Sequence, residues 1–91
     1  MNNDVPYKEE KISDNIYQRT FKFNIDTDEV IWHKDREDRI VEVIKNDGNW
    51  LFQMDNDLPQ PLQGKIFIPK EKYHRTIKGH GDLILNVTKL S

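Results

Sequence analysis

An all-β fold of short antiparallel strands is predicted by three observations. Apolar residues recur at every second position in several segments, turn residues punctuate the chain at short intervals, and no window sustains i, i+3, i+4 apolar spacing over three turns. Six to eight strands separated in this way suit a sandwich or barrel, and closing the sheet protects its edges.

The elements follow in order. Residues 1–15 are polar, with Pro6 and the run Lys8-Glu9-Glu10-Lys11, and are expected to be a tail or an edge strand. Residues 16–91 are expected to be a single barrel domain. Phe21, Phe23 and Ile25 alternate with Lys22 and Asn24, the Asp26-Thr27-Asp28 turn follows, and Glu29 to His33 is a short β-rich run. Arg39 to Ile44 alternates, with Val41 and Val43 on the Arg39 side and Glu42 on the other. Asn46-Asp47-Gly48-Asn49 reads as a hairpin turn, since Asp-Gly suits positive φ. Trp50, Phe52 and Met54 alternate next, then Asp55-Asn56-Asp57 and the prolines at 59 and 61 interrupt. Lys65 to Ile68 opens after Gly64 and stops at Pro69. Tyr73 to Ile77 and Leu83 to Val87 flank the turn Gly79-His80-Gly81-Asp82, in which His80 is expected to be exposed.

Composition bounds the function. The 91 residues fit one domain, and a chain this small has a thin core. Hydrophobic residues make up 35% and charged residues 33%, but Phe 4, Tyr 3 and Trp 2 supply large buried units. The formal charge of −2, with both signs interspersed, gives no field to attract nucleic acid or an anionic membrane. With no cysteine, disulfides, thiolate metal sites and a Cys nucleophile are excluded. No apolar run approaches a membrane span or signal-peptide core, so a cytoplasmic protein is expected. A thin core and an unpaired strand over Tyr17 to Ile25 lead us to expect a homodimer.

His33 and His74 carry the chemical signal. Each adjoins an aromatic residue, Trp32 or Tyr73, that alternation sends to the opposite face. If the aromatics face outward, both imidazoles face the other way. Asp35, Glu37 and Arg39 would share one side of an extended segment, while Arg36 and Asp38 read as a solvated loop.

The order of these residues resembles the cupin superfamily, in particular small RmlC-like cupins. Trp32-His33-Lys34-Asp35-Arg36-Glu37-Asp38-Arg39, leading to the turn at Gly48, is similar to the first cupin motif in degenerate form. Gly64, Pro69 and His74, in the stretch from Gly64 to His74, match the second motif. The resemblance implies a double-stranded β-helix, the jelly-roll barrel of that superfamily. It also implies a metal site of two His and one Glu from the first motif and one His from the second. Carried over, the first His falls on His33 and the last on His74. The second His position holds Asp35, the Glu position holds Arg39, and a motif Gly is replaced by Glu71.

Two pockets are consistent with this pattern. In the favoured one, His33, Asp35 and His74 hold one divalent metal (Fe, Mn, Zn or Ni) with open positions for a small polar or acidic molecule. Glu37 and Glu42 stand in reserve, and Arg39, Gln53, Glu37 and Tyr73 are candidate ligand-binding residues. In the alternative, no metal is present, and His33, Arg39 and His74 bind an anion or a sugar-like ligand in a non-catalytic module. Fold does not choose among reactions.

Overall fold

The computed structural model describes residues 8–22 and 32–90. Among them are β1 Lys8–Ser13, β2 Ile16–Phe21, β3 Asp38–Asn46, β4 Leu51–Met54, β5 Gln60–Pro61, β6 Lys65–Ile68, β7 His74–Ile77 and β8 Leu83–Leu90, with no helix. They form two antiparallel sheets, of strand order β1-β2-β8-β3-β6 and β5-β4-β7.

Alternation decides which residues face inward. In the larger sheet Phe21 stands opposite Leu83, Val41 opposite Val87, and Val43 opposite Leu85. These side chains meet Trp50, which immediately precedes β4, and Phe52 of the smaller sheet, with Leu62 and Ile68 completing the core. Trp50 and Leu83 are fully buried. The Trp50 indole N–H donates to the Gly81 carbonyl at 2.7 Å, so the largest core side chain is buried with its polar atom satisfied. Glu42 and Ile44 point outward from β3, as the sequence pattern requires.

Two expectations about this frame are corrected. Asn46 to Asn49 is not a hairpin turn, because β3 pairs with β6 and β8 while β4 pairs with β5 and β7. The segment instead carries the chain from one sheet to the other. Asn46 shapes it by accepting from the Trp50 N–H and donating to the carbonyls of Trp50 and Leu62. Gly48 is needed for close approach: a Cβ there would fall 1.9 Å from the Gly81 nitrogen. The positive φ of this segment, 59°, belongs to Asn49.

The second correction concerns the expected unpaired strand. As far as Phe21 it lies between β1 and β8, and β1, exposed along its length, takes the edge. The expected alternation of Phe23 and Ile25, the turn at 26–28 and the first part of the run Glu29 to His33 lie outside the described residues.

Candidate metal centre

His33 and His74 meet across an isolated antiparallel bridge. The His33 N–H donates to the His74 carbonyl at 3.0 Å, and the His74 N–H donates to the His33 carbonyl at 2.9 Å. Residues that exchange both bonds stand directly opposite, with side chains on one face. Accordingly the ring centroids are 4.4 Å apart. His74 also pairs with Met54 across β4 and lies 5.8 Å from the Phe52 ring, which places it on the inner face. It is only 4% exposed, whereas His33 is exposed.

Asp35, two residues beyond His33, completes the group. One candidate ligand atom from each of His33, Asp35 and His74 lies within 4.8 Å of the others. Asp35 Oδ2 is 3.3 Å from His74 Nε2, and Oδ1 is 3.4 Å from Arg39 Nη1. Arg39 in turn donates through Nε to Glu37 Oε2 at 2.6 Å. The guanidinium thus turns one Asp35 oxygen away and leaves the other toward His74.

The hydrogen positions follow from chemistry. His74 Nδ1 lies 2.8 Å from the Lys72 carbonyl, which can only accept, so Nδ1 carries the hydrogen. Burial is the main influence on this ring and lowers its pKa below the usual 6.5. The Lys72 carbonyl and Asp35 act in the opposite sense, while His33 and Arg39 add to the lowering. A neutral ring with hydrogen on Nδ1 presents the Nε2 lone pair to Asp35 Oδ2. That oxygen is itself buried without a hydrogen-bond partner. Two acceptors facing each other away from water are a costly arrangement that a cation between them relieves. Ligands about 2.0–2.2 Å from one ion stand roughly 3–3.5 Å apart. The His74–Asp35 pair has that spacing, and the remaining closure falls to His33, the exposed member.

The loop after β6 holds this geometry. In Pro69-Lys70-Glu71-Lys72 the Lys72 N–H donates to the Pro69 carbonyl at 3.3 Å, and Glu71 has φ of 62°. Positive φ at the third position of a turn is the usual place of glycine, so Glu71 adopts a conformation that L side chains rarely take. The turn is tied to the Asp35 loop twice. The Glu71 N–H donates to the Asp35 carbonyl at 2.8 Å, and the Lys70 N–H donates to Asp38 Oδ1 at 2.7 Å. Asp38, expected to be merely solvated, is therefore a clamp between the two motifs.

Not every candidate reaches the centre. Gln53 stands opposite Arg75 and accepts from its Nε at 3.0 Å, on the face away from His74. Tyr73 is exposed on that same outer face, with the Lys34 ammonium 5.4 Å from its ring centroid. Glu42 points outward, and Glu37 serves Arg39. Sequence reasoning missed Lys89, which the register of β3 and β8 sets opposite Arg39. Continuing the period-two pattern of Leu83, Leu85 and Val87 one step would have found it.

No family model and no curated protein matches the sequence. Solved structures match the fold. An RmlC-like cupin family protein with a double-stranded β-helix, from Methanocaldococcus jannaschii, superposes with a TM-score of 0.70 at 13% identity, over 93% of this chain and 80% of that one. A cupin-2 domain containing protein from Shewanella frigidimarina gives a TM-score of 0.60 at 15% identity, over 96% and 81%. A DMSP lyase structure gives 0.69 at 17% identity, over 84% of this chain and 37% of that one, so this chain spans little more than a third of the lyase. Likeness at these identities is likeness of fold.

Proposed function

We propose, starting from the cupin double-stranded β-helix that this chain adopts, that it holds one divalent metal through His33, Asp35 and His74 and uses it on a small polar or acidic molecule. The observation that carries this is the buried Asp35 Oδ2, without a hydrogen-bond partner and 3.3 Å from the Nε2 of a ring whose hydrogen is on Nδ1. Two imidazoles and a carboxylate suit Fe, Mn, Zn or Ni and leave coordination positions open. A bound ion would supply Lewis acidity toward an oxygen of the bound molecule. The chain's own contribution is orientation. The Lys72 carbonyl fixes the His74 tautomer, and Arg39 fixes which Asp35 oxygen faces the centre.

The metal-free alternative needs Arg39 to receive the anion. Its Nε and Nη1 already face Glu37 and Asp35, which makes that the weaker reading. A homodimer also belongs to this proposal. Ile16, Thr88, Ile40 and Phe67 stand in one cross-strand row on the outer face of the larger sheet, and Phe67 is exposed. Sedimentation at high concentration tests it, and a species of only 10.9 kDa would refute it. No described helix is long and apolar enough to cross a membrane.

Titration with Co²⁺ or Zn²⁺ tests the centre. One ion should bind per chain, and His33→Ala, Asp35→Ala and His74→Ala should each abolish binding, while Glu42→Ala leaves it intact. Unchanged metal affinity in His33→Ala would refute this ligand set.

A further inference from the structure

Arg39 and Lys89 are direct cross-strand partners in β3 and β8. The pairs that continue this register, Val41 with Val87 and Val43 with Leu85, belong to the core or pack against it, so alternation turns Arg39 and Lys89 to the inner face. Cross-strand partners on one face stand about 4.5–5.5 Å apart at Cβ, and like charges there are unfavourable. Arg39 is compensated by Asp35 and Glu37. Lys89 is not. Its ammonium lies 4.4 Å from the ring centroid of Tyr17, another inward-facing position, and among the described residues no carboxylate pairs with it. A half-buried ammonium held on an aromatic face, with no described carboxylate beside it, keeps N–H donors that an anion could accept from.

The charge balance adds a condition. Asp35 and Glu37 offset Arg39 and Lys89 in number, so a divalent ion at His33, Asp35 and His74 would leave the barrel mouth positive. We infer that Lys89, held on the Tyr17 ring, forms an anion subsite in the same barrel mouth as the candidate metal centre, with Arg39 kept to its own carboxylates, and that the molecule taken up carries a carboxylate or phosphate group. This deepens the metal reading by naming the ligand class and rests on it for the enhancement by metal, but not for the subsite itself.

Calorimetric titration of the Co²⁺-loaded and chelator-treated protein tests this, with succinate, inorganic phosphate and neutral erythritol as probes. Succinate or phosphate should bind the loaded protein, more weakly the stripped one, and erythritol neither. Which of the two binds more tightly identifies the anionic group. Lys89→Gln should lower anion affinity about tenfold or more, the effect expected on losing a charge-assisted hydrogen bond, while Lys89→Arg restores it and Co²⁺ affinity stays unchanged in both. If no Co²⁺ binds yet the anion does and Lys89→Gln weakens it, the metal reading fails and the subsite stands. If Co²⁺ binds but neither anion does, or Lys89→Gln binds the anion like wild type, the subsite is overturned.

Discussion

Replacing Asp35 by Asn should stabilise the metal-free protein and abolish metal binding. The wild-type carboxylate presents Oδ2 to the His74 Nε2 lone pair at 3.3 Å, and that oxygen is buried without a hydrogen-bond partner. An Asn side chain in the same rotamer places an NH₂ there, which donates to Nε2, while its carbonyl oxygen keeps the Arg39 side. Satisfying a buried orphaned acceptor recovers roughly 1–3 kcal/mol. Against this stands the loss of charge opposite Arg39. That loss is modest, because the Asp35 contact is long at 3.4 Å and Arg39 retains Glu37 at 2.6 Å. The net gain is then about 1 kcal/mol, which for a domain of this size raises Tm by roughly 4–8 °C. Scanning calorimetry in excess chelator at neutral pH reads the stability, and equilibrium dialysis against Zn²⁺ reads the metal. A Tm that falls, or wild-type metal affinity in Asp35→Asn, would refute the two-acceptor account. A centre that costs stability when empty is expected of a site built for a ligand.

Three further outcomes follow. In chelator, the protein should lose stability as pH falls from about 6.5 toward the lower folded-state pKa of His74, because the unfolded ring takes up a proton that the buried ring resists. Urea midpoints at pH 7.5 and 5.5 measure this, and His74→Gln should reduce the difference; an equal difference in the variant would assign the pH effect to other groups. Gly48→Ala should destabilise by about 3 kcal/mol, since its Cβ meets Gly81 backbone at 1.9 Å. Gly64→Ala meets no atom within 4 Å and pays only for its φ of 66°, about 1 kcal/mol. Similar denaturation midpoints for the two variants would contradict the close-approach role of Gly48.

The sequence by itself determined the strand content, because side-chain period is a local property of an extended chain. Phe52 and Met54, or Val41 and Val43, had to share a face whatever partners they met. It also determined that His33 and His74 point away from Trp32 and Tyr73, and the motif resemblance was enough to nominate Asp35 as the third member. Partner choice was decided only in three dimensions. Asn46 to Asn49 has hairpin chemistry, yet β3 pairs with β6 and β8 and not with its sequence neighbour β4, so that Val41 is buried and Val43 packs against the core between the two sheets. Gln53 and Tyr73 were plausible pocket residues until register turned them outward, since a shift of one position exchanges the two faces of a strand. Lys89 and Asp38 acquired their roles in the same way. Each is an unremarkable charge in the chain, and only the β3–β8 register and the tie to the Pro69–Lys72 turn set them beside Arg39 and between the two motifs. The one-sided protonation of His74 was likewise invisible in sequence, because it depends on a carbonyl that the fold brings to Nδ1 and a carboxylate that it brings to Nε2.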